Sequence, residues 1–410
     1  MNRSALLDRE IDKATDVLIS RLHAARAETD ALFQLVKTEA MYDRPIPERH
    51  RIVFYIGHLE AFDWNLLKGI GGASGGRQEL DRLFAFGIDP VGGNLPNERA
   101  DEWPRLSEVY EYCRRVRESV DDLAPAASAQ FLNIAIEHRL MHAETLSYIL
   151  HRMPFDRKNA MTVSRVPSPG PFTPESVRIP AGSVTLGLRR DAEIFGWDNE
   201  FGDHTVHVPT FSVDKYMVTN GEFLQFLQDG GYENRALWKE ADWNWRTAAG
   251  ISQPAFWVRH GNDWGYRSMF EELPLPSDWP VCVSHAEASA YARWAGKRLP
   301  TEAEWQRAAD VRGQLKAAAS DQWDPAPAGT EIASAWEWTS TLFAPFDGFR
   351  PFACYPGYSE PFFDGQHYVL KGGSMRTAEC MLRRSFRNWF QPHYQYVYAG
   401  FRCVSGEGNE

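Results

Sequence analysis

From Ser4 to about Lys37 apolar residues recur every three to four positions, through LLDREIDKATDVLISRLHAARAETDALFQLV, with neither glycine nor proline in the run. That spacing lines one face of a helix and predicts a long amphipathic helix. The same pattern predicts three more helices, around Ile52–Lys68, Leu106–Leu123 and Ala127–His151. GGASGGRQ and GIDPVGGNLPNERADEWP, which fall between them, have loop composition. An up-down four-helix bundle over residues 1–155 is the simplest architecture for these elements. After Met153 the periodicity is lost in DRKNAMTVSRVPSPGPFTPESV, which reads as a proline-bearing linker over 156–175. Residues 176–410 carry short β-like runs (SVTLGL, HTVHVPTFSV, YVLKGGS), frequent Gly and Trp, and two good helical patterns, GEFLQFLQDGG and HAEASAYARWAGK. A second, mixed α+β domain is expected there.

Composition narrows the function. A chain of 410 residues is long enough for two cores. Its five cysteines (Cys113, Cys282, Cys354, Cys380, Cys403) are odd in number and scattered, as expected for reduced thiols in a cytoplasmic protein. No apolar stretch is long enough to cross a bilayer, and MNRSALLDREIDKA has no signal-peptide core, so neither a membrane nor export is expected. A formal net charge of -11 argues against a nucleic-acid partner, because such binders draw affinity from basic surface. Fifteen tryptophans and 15 tyrosines suit a small-molecule pocket.

The candidate chemistry lies in AIEHRLMHAETLSYIL, where His138 and His142 stand four residues apart and so project from one helix face. Two neutral imidazoles at that spacing can share a metal ion, although the same pair also arises in ordinary core or surface histidines. A third ligand has to come from a facing helix, and His58 in FYIGHLEAFDWN is the best candidate. Glu144 reads either as an acceptor that orients a ligating imidazole or as an exposed helix residue. Imidazole ligation by itself suits zinc as well as iron.

Several blocks of the second half, PTFSVDKYMVTNGEFLQFLQDGGY, PVCVSHAEASAYARWAGKRLPTEAEWQRAA, SAWEWTST, LKGGSMR, and SFRNWF followed by AGFRCV, resemble the formylglycine-generating-enzyme/sulfatase-modifying-factor fold, which is C-type-lectin-like. The resemblance covers most of 176–405. Its copper-using branch needs two cysteines near the C-terminal arginines, and Cys380 alone stands there, which argues against formylglycine generation. A second branch joins this fold to an N-terminal DinB-like bundle with an HxxxHxE motif and an upstream histidine, the pattern of His138, His142, Glu144 and His58. That branch comprises nonheme iron sulfoxide synthases, which attach a thiol to the imidazole carbon of hercynine or histidine. The resemblance therefore implies iron(II) held by His58, His138 and His142 between the two domains, with dioxygen as co-substrate. It matches Tyr355 to the family's proton and electron donor, Tyr358 to a tyrosine lining the hercynine pocket, and Asn388 and Trp389 to residues that hold the same substrate.

The chain departs from that pattern at the sulfur-donor residues. Where donors such as γ-glutamylcysteine meet an aspartate and an arginine just after the Asn–Trp pair, this sequence has Phe390 and Tyr394. Trp103 stands where an arginine is expected, with Arg105 nearby, and Met141 replaces a glutamine. Each donor charge left unpaired in a buried site costs about 2–5 kcal/mol. An uncharged donor fits better, and Phe390, Gln391, Tyr394 and Trp103 would suit a sugar. This points to the selenoneine synthases, which join hercynine to a selenosugar. The rivals are an ergothioneine-type enzyme with a thiol donor and a non-catalytic ligand-binding module.

Overall fold

The computed structural model describes residues 3–70, 78–85, 98–168, 170, 173–313 and 315–406. The chain forms two compact units, Met1–Met161 and Thr162–Glu410. Most of the two segments read as loops, 71–77 and 86–97, lies outside the described residues.

The first unit is helical: α1 (Arg3–Gln34), α2 (Ile52–Leu67), α3 (Gln78–Leu83), α4 (Leu106–Leu123) and α5 (Ala129–Arg152). The four long helices fall where periodicity places them, and α3 is an addition that six residues were too few to signal. In α4 only one stripe is buried, Val109, Tyr112, Cys113, Val116 and Val120, as its pattern demands. In α2 nearly every residue from Ile52 to Leu67 is buried, which explains a sequence apolar on all sides. Helix α2 packs against α4 and α5, and α1 runs along α5. Ser128 caps α5 by accepting a hydrogen bond from the Phe131 amide. After α5 the chain turns back onto the end of α1, where the Lys37 amide donates to the Arg157 carbonyl and the Asn159 amide to that of Leu35. Residues 157–159 are thus tied to the bundle by backbone pairing.

The second unit is α+β. Its strands are β1 (Ser176–Ile179), β2 (Gly182–Leu186), β3 (His204–Val208), β4 (Phe211–Asp214), β5 (Trp257–His260), β6 (Asp263–Arg267), β7 (Glu272–Pro274), β8 (Ala335–Leu342), β9 (Tyr368–Gly373), β10 (Asn388–Phe390), β11 (Ala399–Gly400) and β12 (Val404–Ser405). The largest sheet has the order β10-β9-β8-β11, and another, β1-β4-β12, brings the two ends of the unit together. Strand β10 is an edge, set by the antiparallel pairs Asn388–Leu370, Trp389–Val369 and Phe390–Tyr368.

Four helices appear here rather than the two expected: α6 (Asn220–Gln228), α7 (Glu240–Ala249), α8 (His285–Trp294) and α9 (Glu302–Arg312). Helix α9 opens on a capping box, Thr301 with Glu304, whose signal lies in the letters PTEAEW. Helix α7 buries only Asp242, so it has no apolar stripe to detect, and it ends at Gly250 with φ 66°.

Gly57 of α2 fits closely against Phe84, which follows α3. An added Cβ would lie 2.5 Å from the Phe84 ring, and Phe84 is fully buried. Gly57→Ala gains about 1 kcal/mol of helix propensity but meets an overpacking cost of about 1–3 kcal/mol or more. Thermal unfolding of Gly57→Ala is expected at a lower midpoint than the parent. A midpoint at or above the parent's would mean that Phe84 moves aside freely.

Candidate functional site

His58 on α2 and His138 and His142 on α5 converge, as the helical spacing and the facing-helix argument predicted. One ligand atom of each lies within 4.8 Å of the others, and all three residues are buried. The Nε2 atoms of His138 and His142 are 3.1 Å apart. The Nδ1 of His58 is 2.7 Å from the Phe84 carbonyl, which can only accept, so this nitrogen carries the proton and Nε2 keeps its lone pair. Burial pushes the His58 imidazole down to about 4 and those of His138 and His142 well below the ordinary histidine range, so the rings are neutral.

Two imidazole nitrogens facing each other at 3.1 Å either share one N–H proton or turn both lone pairs onto a cation. Nitrogens that each reach one ion at about 2.1 Å from adjacent coordination positions lie about 3 Å apart. The donor set therefore fits a borderline transition-metal ion. Aromatic rings wall the set: Phe62 stacks on His138 at 3.4 Å between centroids, Phe54 on His58 at 4.9 Å, and Tyr55 sits 5.9 Å from His142. Trp103 lies one ring further out, 5.9 Å from Phe54 and 6.1 Å from Phe84. Met141 precedes His142 on α5 and is half-buried. Glu144 is 7% exposed, so the exposed reading of that residue does not hold.

In the second unit an aromatic cluster gathers Tyr355, Tyr358 and Trp389. Tyr358 stacks on Trp197 at 3.9 Å and presents its edge to Trp389 at 5.2 Å, while Tyr355 lies 5.7 Å from Tyr358. Trp389 stacks on Phe343 at 4.2 Å, with the planes 7° apart. Asn388 accepts a hydrogen bond from the Trp389 amide. Phe390 and Tyr394 stack on each other at 5.1 Å and 11°, while Gln391 between them is exposed.

One short segment, Trp197–Glu200, anchors both arms of this cluster. Ser359 donates to Asp198 at 2.5 Å and accepts from the Asn199 side chain at 2.9 Å, which fixes the loop bearing Tyr355 and Tyr358. Glu200, fully buried, accepts from Arg383 at 2.6 and 2.9 Å and from Ser385 at 2.7 Å, which fixes the approach to Asn388 and Trp389. Sequence reasoning missed this segment and the Phe54 and Phe62 walls. The walls had a signal, because Phe54, His58 and Phe62 follow one another at intervals of four. The Phe84 carbonyl had none, since backbone acceptors are identical at every residue.

A helical bundle with three inward imidazoles, followed by an α+β unit with an aromatic site, defines a two-domain protein of one recognisable class. The DinB superfamily model matches residues 21–153, and the sulfatase-modifying factor enzyme 1-like domain matches 163–334 and 331–406. The chain is 35% identical over 430 aligned residues to the hercynine oxygenase of Mycobacterium tuberculosis, covering 94% of this chain and 98% of that protein. It is 34% identical to the hercynine oxygenase of Mycolicibacterium thermoresistibile, over 73% and 77% of the respective chains. Similarity to ergothioneine biosynthesis protein 1 of Schizosaccharomyces pombe is 28%, over 90% of this chain and 54% of that protein. The chain belongs to the hercynine oxygenase family of ergothioneine-type sulfoxide synthases.

The anchor segment yields a pH test. Burial raises the Asp198 carboxyl from 3.8 to about 6 despite its bond from Ser359. A group whose folded value is raised contributes stability that is complete below pH 3.8 and lost as pH rises through 6. Asp198→Asn keeps an acceptor toward Ser359 and removes the buried charge. Its unfolding free energy, taken from thermal melts, is expected above the parent's at pH 8, by about 1–3 kcal/mol, and level with it near pH 4. An equal gap at both pH values would show that the charge is not the cause.

Proposed function

We propose that this protein is an iron(II)- and dioxygen-dependent oxidoreductase that joins hercynine to a selenosugar through a carbon–selenium bond. The family supports hercynine as one substrate, because the similar proteins include named hercynine oxygenases. The observation that carries the donor reading is the parallel Phe390–Tyr394 ring pair, standing where thiol-donor enzymes are expected to place a carboxylate and a guanidinium. Stacked rings offer an apolar face to the C–H surface of a sugar and nothing to an amino-acid zwitterion.

His58, His138 and His142 would hold the iron, which supplies dioxygen activation and a coordination position for the chalcogen. The remaining work falls to side chains. Hercynine's trimethylammonium cannot donate hydrogen bonds and favours ring faces, which Trp389 and Tyr358 provide. Asn388 would orient the imidazole, with Phe390, Gln391, Tyr394, Trp103 and Met141 on the donor side. Tyr355 would deliver the phenolic proton, and an electron with it, from Oη. Coupling removes one hydrogen from the selenol and one from the imidazole carbon; these two electrons and two protons reduce dioxygen to hydrogen peroxide, or to one water with the other oxygen atom kept on selenium, and Tyr355 regains its hydrogen from the substrate pair within the same turnover. Glu144 would support an imidazole ligand.

A thiol donor is the second reading, favoured by similarity to ergothioneine-pathway proteins across most of the chain. Iron-loaded protein, dioxygen and hercynine are to be incubated with a selenosugar, a thiosugar, cysteine or γ-glutamylcysteine, and the products weighed by mass spectrometry. The selenosugar is expected to give the coupled product. A sulfur product formed solely from γ-glutamylcysteine would overturn the donor assignment. Tyr355→Phe is expected to slow coupling about 10²-fold or more while the bound iron content stays at the parent level. Unchanged turnover would remove Tyr355 from the chemistry.

A further inference from the structure

We propose that a buried ionic hub on α2 and α5, centred on Arg139, is a register lock that positions the three imidazoles, an inference that rests on their reading as a metal centre. Arg139 is fully buried and immediately follows His138 in sequence. Its Nη2 donates to Asp63 at 2.6 Å and to the Leu59 carbonyl at 3.1 Å, and its Nη1 donates to Glu60 at 3.0 Å. Glu60 and Asp63 are as deeply buried as Arg139. Arg117 of α4 reaches Glu60 at 2.8 Å and, through the same guanidinium, Asp30 of α1 at 2.6 Å. Thr29 of α1 lies 3.4 Å from Arg139. All four long helices therefore meet at one cluster of charges.

The positions of these residues give the hub its purpose. Successive helical residues point about 100° apart, so Arg139 projects about 100° from His138 and about 60° from His142, and Glu60 points to the opposite side of its helix from His58, each sharing a rigid backbone with the imidazoles it positions. Holding Arg139 onto Leu59, Glu60 and Asp63 fixes how α5 sits along α2. A slip of one helical turn would move the helices about 5.4 Å past each other, more than the 4.8 Å within which all three ligand atoms lie. Apolar side chains would pack that interior as stably, and buried ion pairs contribute little net stability compared with them. Charge earns its place where a single register has to be specified.

The test separates register from stability. E60M/D63L/R139M replaces the hub by apolar side chains, and Arg117 keeps its pair with Asp30. Metal-free protein is to be melted, and cobalt(II) titrated with the d–d absorption as readout. The lock predicts a variant at least as heat-stable as the parent, with cobalt affinity reduced about 10-fold or more and an altered d–d spectrum. A folded variant with parental affinity and spectrum overturns the proposal, as does an affinity loss that merely tracks a lower melting midpoint. Should the triple variant not fold, Arg139→Lys serves, because one ammonium cannot span Glu60, Asp63 and the Leu59 carbonyl. With folding retained, weaker cobalt binding supports the lock and parental binding refutes it. A parent that takes up neither cobalt nor iron refutes the metal reading itself, an outcome distinct from parent and variants binding alike.

Discussion

Three neutral imidazoles forced together in a desolvated interior set the terms for the helical unit. Lone pairs that approach as closely as those of His138 and His142 repel unless a proton or a cation lies between them, and burial leaves little exposed surface there. The surrounding residues read as ways of holding that arrangement. Phe84 offers its carbonyl to His58, and its ring needs the space that Gly57 leaves. Phe54 and Phe62 press on two of the rings, which limits their rotation. Helix α2 carries almost no exposed surface, so its hydrophobicity is the consequence of a position at the centre of the bundle.

The α+β unit solves a related problem with other means. Aromatic rings make a surface for a ligand, but they do not hold one another in place with direction, since stacking is weakly orienting. Direction comes from the Trp197–Glu200 segment, whose carboxylates and amide bind the loop that bears Tyr358 and the stretch that leads into strand β10 with Trp389. A buried carboxylate such as Glu200 tolerates its desolvation because a guanidinium grips it twice and a hydroxyl adds a third donor. The apolar surface and the polar scaffold behind it are thus separate layers built from adjacent residues.

How far all this could be read from the letters depended on what each element leaves in sequence. Long helices with a buried stripe were legible because periodicity is their cause, and the histidine centre was legible because two of its ligands obey the helical repeat. Helix α7 was not, since an almost wholly exposed helix has no stripe, and α3 was too short to show one. The capping box ahead of α9 was present in the sequence and went unused as a helix signal. Trp197 and Glu200 look like any loop residues until the chain is folded, because their partners Tyr358 and Arg383 are more than 150 positions away. Motif resemblance singled out Tyr355, Tyr358 and Trp389, which spacing could not bring together and the fold gathers in one aromatic cluster.

Phe390, Gln391 and Tyr394 lie where the fold tolerates change. Strand β10 is an edge whose register is set by β9, and Phe390 is its last paired residue. Beyond it the chain is held by side-chain ties rather than strand pairing, among them His393 to Asp242 at 2.9 Å, with Trp245 stacked on the imidazole. Gln391 and Tyr394 contribute nothing to sheet pairing, so substitutions there leave the sheet intact. A scaffold that fixes the histidine cluster and the approach to Trp389 through deeply buried polar contacts, and leaves Gln391 and Tyr394 beyond a strand end, can change those end residues without refolding.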